Sequence, residues 1–206
     1  MKLNLQQVGK RYNHNWIFRR VSLAWTSGKH YAIKGPNGSG KSTLLQIIAG
    51  SVLQSEGQSE LVDDNNRMIE PEKQHQHLSL CAPYLELIEE MTGIEFLRFH
   101  FSFKKPLISL EEMLRQTGLE QAGDRQIRYY SSGMKQRLKL AQAFFSKTGL
   151  LLLDEPATNL DESGITLYKT LLNEQTTNRL VIICSNDPNE TTSCTEALFI
   201  NDYQEM

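Results

Sequence analysis

The sequence predicts an α/β fold, in which a mostly parallel sheet core carries an N-terminal antiparallel β part and a helical subdomain. Two uninterrupted apolar runs, 150–153 and 180–184, suit parallel strands that are buried on both faces. Residues 2–8 and, more loosely, 16–25 alternate apolar and polar side chains, as half-buried β-structure does. From about 85 to about 147 the apolar residues recur at helical spacing, which predicts helices there.

Domain organisation follows from the order of these patterns. We expect one domain over residues 1–206, with a core of about 1–84 and 148–206 and a helical subdomain of about 85–147. Length supports this interpretation, because 206 residues are enough for one hydrophobic core and too few for two full domains. The other predicted elements are a strand at 31–33, weak strands at 60–62 and 67–69, helices at 41–49, 132–145 and 162–176, and a final strand at 197–201.

Composition excludes several classes of protein. A formal net charge of -2 gives no bulk electrostatic reason to bind nucleic acid, so we expect no nucleic-acid partner. No apolar run approaches the ~20 residues of a membrane helix. The three cysteines lack metal-type spacing and the N-terminus lacks a secretory pattern, which indicates reduced thiols in a cytoplasmic protein.

A phosphate-binding loop is the most specific motif of the chain. The string GPNGSGKS, which begins at Gly35, matches G-x-x-x-x-G-K-[S/T] between a predicted strand and a predicted helix. Its glycines let successive N–H groups converge on phosphate, and the helix adds its positive N-terminal end. Lys41 should reach the β- and γ-phosphates of ATP, and the Ser42 hydroxyl should ligate Mg²⁺. The expected ATP-binding residues are Gly35, Pro36, Asn37, Gly38, Ser39, Gly40, Lys41, Ser42 and Thr43.

An acidic pair follows the first buried strand. Asp154 and Glu155 come directly after 150–153, at the carboxyl end where open α/β sheets bind ligands. Asp154 is suited to be a second Mg²⁺ ligand, directly or through water. Glu155 is suited to be the general base that polarises the attacking water.

Beyond these two motifs, the order of motifs along the chain carries a family resemblance. The string YSSGMKQR at 130–137 looks like the signature L-S-G-G-Q-x-Q-R, and LLLLDEPATNLD follows at 150–161. In this order the chain resembles an ATP-binding cassette (ABC) ATPase over nearly its whole length, which implies a P-loop NTPase fold. Tyr12 stands where that family has an aromatic residue that stacks on adenine.

The resemblance also implies a dimer. In the family two cassettes pair head to tail around ATP, and the signature of one completes the site of the other; here the pair is either a homodimer or a heterodimer. Asp161 would act across the dimer on the second site. The signature residues that would act in trans are Ser131, Ser132, Gly133 and Met134.

Two positions depart from the family pattern. Asn186 stands where the family has a histidine that contacts the γ-phosphate, and asparagine can hydrogen-bond there but cannot carry charge. We expect Asn186 to act beside Glu155 in catalysis. Pro83 or a neighbour occupies the position of a glutamine that touches magnesium. Either the chain hydrolyses ATP without these groups, which the retained Glu155 favours, or it is a slow or degenerate cassette in which ATP mainly holds the dimer.

The resemblance suggests three roles for the chain. The first is the ATPase subunit of a membrane transporter whose permease is a separate chain, placed in the cytoplasm at the inner face of the cell membrane. The second is a soluble, non-transport ABC ATPase, although those generally carry two cassettes or a long coiled-coil insertion. The third is a regulatory cassette that mainly binds ATP. For the first role, we expect a permease helix to dock around Pro83–Glu90.

Overall fold

The computed structural model describes residues 1–204, and its strands and helices follow one another as the α/β prediction requires. The strands are β1 (Lys2–Tyr12), β2 (Asn15–Thr26), β3 (His30–Lys34), β4 (Glu56–Val62), β5 (Leu78–Cys81), β6 (Leu150–Asp154), β7 (Leu180–Cys184) and β8 (Glu196–Phe199). The helices are α1 (Lys41–Ile48), α2 (Gln74–His77), α3 (Gly93–His100), α4 (Leu110–Gln116), α5 (Ser132–Phe144), α6 (Glu162–Gln175) and α7 (Pro188–Thr191).

Two sheets form the framework of residues 1–204. The antiparallel sheet has the order β2-β1-β4, and the parallel sheet has the order β5-β6-β7-β3-β8. The prediction of a parallel core with an N-terminal antiparallel part is therefore confirmed. Every neighbouring pair of the second sheet runs parallel, so the carboxyl ends of its strands share one edge.

The apolar runs are buried on both faces because alternate side chains enter different cores. Leu150 and Leu152 of β6 lie in the cluster that joins α1 to the antiparallel sheet. Leu151 and Leu153 point to the opposite face and pack with α5 and α6. All five residues of β6 are buried, which is why this strand lacks the polar–apolar alternation of a one-sided sheet.

Helices α3 to α6 begin at a polar side chain that caps the first turn. Each of these side chains accepts a hydrogen bond from a backbone N–H that has no partner inside its helix. The capping residues are Thr92 for α3, Ser109 for α4, Ser131 for α5 and Asp161 for α6. Helix α1 differs, because its capping residue is Gly40 and no side chain bonds its first turn.

The structure corrects three sequence-based boundaries. The weak strand predicted at 67–69 is wrong, since only an isolated bridge joins Met68 to Val62. The last strand ends at Phe199, and residues 200–203 form a short 3-10 helix instead of continuing to 201. The strand predicted at 60–62 starts earlier, at Glu56, because it pairs along β1; its one buried residue is Leu61, so the apolar signal of this strand is weak.

None of the helices found in residues 1–204 has both the length and the apolar character that crossing a bilayer requires.

Candidate functional site

The sequence-predicted site residues meet at the carboxyl edge of the parallel sheet. β7 lies between β3 and β6, and Cys184 is level with both Ile33 and Asp154. The phosphate loop leaves β3, the acidic pair ends β6, and Asn186 follows β7. Adjacent strands are about 4.8 Å apart, so this topology brings together residues that are up to 151 positions apart in sequence.

The phosphate loop has the backbone shape that its glycines permit. Gly38 and Gly40 have φ values of 79° and 102°, in the left-handed region that other residues rarely adopt. A Cβ at Gly40 would lie 2.6 Å from Cγ2 of Ile17, whereas one at Gly38 would meet nothing within 4 Å. Gly38 therefore faces an open space, and Ile17, which the sequence did not single out, forms the wall behind Gly40.

Lys41 lies across the loop. Its ammonium group donates to the carbonyl oxygens of Gly35 at 2.7 Å and Pro36 at 3.1 Å. The side chain is buried, and no carboxylate of residues 1–204 forms an ion pair with it. A buried cation that is held only by neutral acceptors, next to the uncapped N-terminus of α1, forms a site suited to an anion such as a nucleotide phosphate.

Asp154 and Ser42 supply oxygen ligands beside this anion site. Asp154 is 3 % exposed, and burial raises the pKa of its carboxyl whereas a hydrogen bond with Ser42 lowers it. Carboxylate and hydroxyl oxygens are the ligands that Mg²⁺ prefers, usually with phosphate oxygens and waters completing its shell. The donor set therefore fits Mg²⁺, and these two residues would hold it.

Glu155 stands at a sharp change of backbone direction. Its φ is 43°, which is uncommon for a residue other than glycine, asparagine or aspartate. Its N–H donates to the Cys184 carbonyl at 2.9 Å, so the residue leaves β6 towards β7. It lines two adjoining cavities of about 250 and 240 Å³. The first also contains Ile17, Asn37, Gly38, Gly40, Lys41, Ser42 and Thr43, and the second Asn37, Ala157, Thr158, Ser185, Asn186, Asp187 and Glu190.

Asn186 contacts the phosphate loop itself. Its side-chain oxygen accepts from the Gly35 N–H at 3.0 Å, and its side-chain nitrogen donates to the Gly35 carbonyl at 2.6 Å. The same carbonyl also accepts from Lys41. Asn186 thus lies at the edge of the second cavity, but both the oxygen and the nitrogen of its side-chain amide hydrogen-bond to the first glycine of the loop.

The position of the missing glutamine lies at the end of β5. The Pro83 carbonyl accepts a hydrogen bond from Lys139 at 3.0 Å. The next residue, Tyr84, hydrogen-bonds through its hydroxyl to Gln46 of α1, and burial raises the pKa of this phenol to about 12. A tyrosine hydroxyl therefore lies near α1 in the segment where we expected the family's glutamine, and its exact position there stays a prediction.

Tyr12 lies apart from the cavities at the loop. It ends β1 with half of its side chain exposed, and the Lys10 ammonium stands 4.8 Å from the centre of its ring. Tyr12 is not among the residues of 1–204 that line either cavity. Its proposed stacking on adenine stays a prediction.

The signature residues are on the surface at the start of α5. The Ser131 hydroxyl accepts from the Met134 N–H at 3.2 Å, and a Cβ on Gly133 would lie 3.2 Å from the Asn159 carbonyl. Asp161 accepts from Arg137 at 3.1 Å and caps α6. Within one chain, the signature and the loop after Glu155 are therefore in direct contact. The sequence did not predict this contact.

Two buried side chains near Glu155 were missed. Gln136 and Glu190 are each 4 % exposed and hydrogen-bond the chain directly after Glu155. Gln136 belongs to the signature-like string, so its motif position was a usable signal. For Glu190 the sequence offered no such signal, because an acid in a short polar segment is ordinarily solvated.

Comparison with known proteins gives a consistent result. The family model described as ABC transporter matches residues 18–158. The uncharacterized ABC transporter ATP-binding protein YxlF of Bacillus subtilis (strain 168) is 35 % identical over 167 residues, which are 79 % of this chain and 55 % of YxlF. This chain thus spans little more than half the length of that relative. The zinc import ATP-binding protein ZnuC of Buchnera aphidicola is 33 % identical over 173 residues, 84 % of this chain and 68 % of ZnuC.

A solved structure shares the fold. The ATP-binding cassette MJ0796, solved as a dimer in a post-hydrolysis state bound to ADP and Pi, superposes with a TM-score of 0.80. The alignment covers 96 % of this chain and 93 % of that one at 24 % identity. At this identity the likeness establishes the architecture, an ABC-type P-loop cassette.

Proposed function

Because the chain belongs to the ABC transporter family, as an ATP-binding cassette, we propose that it binds and hydrolyses Mg²⁺-ATP to power a separate membrane permease. The observation that carries this proposal is the convergence of Lys41, Asp154 and Glu155 on the open side of the phosphate loop. The cation, the metal-type oxygen ligand and the acid have distinct environments, as three different roles require.

Nucleotide binding follows from the loop and the helix behind it. Phosphate oxygens would replace the Gly35 and Pro36 carbonyls as acceptors for Lys41, while the first N–H groups of α1 bind the same anion. Ser42 and Asp154 would hold Mg²⁺, which neutralises charge on the β- and γ-phosphates. Tyr12 offers a half-exposed ring to the adenine.

For hydrolysis, Glu155 would orient a water molecule for attack and accept its proton. The acid lines the cavity that it shares with Asn37 and Thr158. Asn186 would contribute by holding Gly35, the first glycine of the phosphate loop. Because neither Asn186 nor Pro83 offers the groups usual in the family, we propose that turnover is slow.

A second cassette would complete the site. The signature residues Ser131–Met134 lie at the start of α5, where Ser131 and Ser132 are exposed, and the partner's phosphate would approach the N-terminus of this helix. Asp161 would lie at the same interface. The MJ0796 cassette, solved as a dimer, supports a head-to-tail pair here, either of two identical chains or of two different ones.

The test of hydrolysis is phosphate release by wild type and by Glu155→Gln at saturating Mg²⁺-ATP, with ATP binding measured in parallel. Glutamine keeps the size of the side chain but is a poor proton acceptor. We expect release to fall at least about 100-fold while the ATP dissociation constant changes less than about threefold. Lys41→Met, as the second variant, should lose ATP binding itself.

The outcomes separate the candidate roles. Equal phosphate release by wild type and Glu155→Gln would exclude hydrolysis at this site. Tight ATP binding without phosphate release by wild type would support a regulatory cassette. Two features favour this alternative: the hydrogen bonds between Asn186 and Gly35, and the proline at position 83. A soluble, non-transport role is indicated if no membrane protein accompanies the active chain.

The cleft between residues 83–89 and α5 is the proposed docking site for the permease. Its volume is about 400 Å³, and Tyr84 and Ile88, in the same segment, are 43 % and 39 % exposed. Lys135 pairs with Glu89 at 2.5 Å on one wall. Exposed apolar groups with a charged rim suit a short amphipathic helix. The lining residues are Pro83, Leu85, Glu86, Leu87, Glu89, Lys135 and Lys139.

Docking would hold the cassette at the inner face of the membrane. The measurement is co-purification of wild type from native membranes with its permease. Glu86→Lys should reduce the recovered complex, whereas Glu111→Lys, an exposed acid of α4, should not. Unchanged complex and transport with Glu86→Lys would argue against this cleft. Glu86 is preferable to Glu89, because Glu89 forms a direct ion pair with Lys135 that its reversal would break.

A further inference from the structure

One peptide group after Glu155 is held from both sides. The Pro156 carbonyl accepts from Nε2 of Gln136 at 2.7 Å, and the Ala157 N–H donates to Oε1 of Glu190 at 2.6 Å. These two atoms belong to the same planar unit, the Pro156–Ala157 peptide. Its carbonyl is thereby attached to α5, the helix that begins with the signature, and its N–H is attached to α7, which follows Asn186.

Both attached side chains are themselves anchored. Gln136 is buried, and its Nε2 also lies 3.6 Å from Sγ of Cys81 at the end of β5. Glu190 hydrogen-bonds the Ser185 side chain, and its own carbonyl accepts from the Tyr168 hydroxyl at 2.9 Å. Neither side chain can therefore follow a moving peptide freely, since each has a second fixed contact.

The backbone at Glu155 requires such support. A φ of 43° is strained for a glutamate and persists only where the surroundings hold it. On the strand side, the Glu155 N–H bonds the Cys184 carbonyl, and on the loop side the Thr158 N–H donates to the Glu155 carbonyl at 3.2 Å. The Pro156–Ala157 peptide is the central peptide of the turn that the second bond closes, so the hydrogen bonds from Gln136 and to Glu190 hold the turn that directly follows Glu155.

We infer that Gln136 and Glu190 are positioning residues for Glu155, acting through the Pro156–Ala157 peptide. They hold the peptide plane so that the carboxylate faces the phosphate loop. This inference rests on the proposed function, because it assigns the two residues to the hydrolytic step. It also means that the signature helix of a chain is hydrogen-bonded to the backbone next to that chain's own general base.

The test compares variants that remove each hydrogen bond with a conservative variant that keeps one. Gln136→Met and Glu190→Met should each lower kcat at least about tenfold, with the ATP dissociation constant and KM within about threefold of wild type. Glu190→Gln retains an acceptor oxygen and should keep more than half of the wild-type kcat. The double methionine variant should be no more than about twofold slower than either single variant, because one freed end already releases the peptide.

A second readout needs no nucleotide. Hydrogen exchange at the Ala157 amide should be accelerated at least about tenfold in Glu190→Met and remain near wild type in Glu190→Gln. Gln142→Met is the matched control, since Gln142 is an equally hidden glutamine on α5 that lies away from this peptide. It should leave kcat and Ala157 exchange unchanged.

The failures are distinguishable. If wild type releases no phosphate, both the proposed function and this inference are overturned. If wild type releases phosphate and the methionine variants match it, only this inference is overturned. Two other results would also overturn the inference, because they would assign the two residues to general stability. One is a kcat of the double variant that falls by the product of the two single losses. The other is a loss of ATP affinity as large as the loss of kcat.

Discussion

The side-chain amide of Asn186 exchanges two hydrogen bonds with the backbone of a single residue, Gly35. The oxygen accepts from the N–H and the nitrogen donates to the carbonyl, as a neighbouring strand would. The contact joins the end of β7 to the beginning of the phosphate loop. It gives the asparagine a defined structural task at the position that the resemblance aligns with the family's histidine.

The geometry suits an amide and few other groups. One N–H of the asparagine amide and one lone pair of its oxygen point in nearly the same direction, so both can reach one residue. The two nitrogens of an imidazole ring diverge, and the carboxylate of aspartate would offer only acceptors to the Gly35 carbonyl. An asparagine is therefore the residue type that this pair of backbone groups selects.

Asn186→Ala should weaken ATP binding because the loop loses two hydrogen bonds that fix its first glycine. Each is worth about 1 kcal/mol, so affinity should fall roughly 5- to 30-fold. Asn186→His should weaken binding to a similar extent and should not hydrolyse ATP faster than wild type. Isothermal titration with ATP and phosphate release measure both effects.

The control for this prediction is Asn189→Ala. Asn189 is exposed three residues further on, and its side chain accepts only from Lys169, at 3.2 Å. It should bind ATP as wild type does. Faster hydrolysis by Asn186→His would show that the histidine function is latent in this site and that the Gly35 contact is dispensable.

Arg179 is a buried cation held by uncharged acceptors. Its guanidinium donates to the Phe144 carbonyl at 2.9 Å and to the Gln175 carbonyl at 3.4 Å, the last residues of α5 and α6. It also donates to the hydroxyls of Ser79 and Thr148, at 2.8 Å each. The negative ends of two helices thus take the place of a carboxylate, since none in residues 1–204 pairs with it. Burial lowers the pKa of Arg179 to about 10.

Arg179→Met should lower the free energy of unfolding by about 2–3 kcal/mol, because helix-terminal carbonyls are left without donors. Arg179→Lys should recover less than half of this loss, since a single ammonium cannot reproduce the fork of a guanidinium. Urea unfolding gives the values. Arg128→Met, at an exposed position, should change stability by less than about 0.5 kcal/mol. A similar small change for Arg179→Met would refute the role of the guanidinium.

His100 should make folding sensitive to mild acid. Its Nε2 lies 3.1 Å from the Ser146 hydroxyl, and burial, with Lys104 nearby, lowers its pKa from 6.5 to about 4. Between these values the unfolded chain binds a proton that the folded chain does not. The contribution of His100 to the free energy of unfolding is therefore fully present above pH 6.5 and is lost as the pH falls towards 4.

His100→Gln should flatten that dependence, because glutamine does not titrate. The difference in unfolding free energy between wild type and variant should shift by about 1–2 kcal/mol from pH 7 to pH 4.5, after allowing for partial exposure. Urea unfolding at several pH values measures it. His75→Gln, at an exposed site, serves as the control. An unchanged slope in His100→Gln would mean that other groups cause the acid sensitivity.

Much of the fold was predictable because its signals are local. The runs 150–153 and 180–184 are strands β6 and β7, since only burial on both faces permits so many consecutive apolar residues. The helix predicted at 132–145 is α5, which begins at the capping Ser131. The strand at 67–69 failed because a short apolar alternation forms a strand only if a neighbour pairs with it, and β4 pairs instead with β1.

The same division applies to the site. The phosphate loop and the acidic pair could be identified from the amino-acid sequence, because glycines, a lysine and adjacent carboxylates at fixed spacing act within a few residues of backbone. The folded chain was needed to show that Asn186 bonds Gly35, 151 positions away. It was also needed to show that Gln136, 20 positions from Pro156, and Glu190, 33 positions from Ala157, hold the peptide that joins these two residues. Such contacts depend on which strand ends and helices become neighbours, and sheet order rather than residue type fixes that.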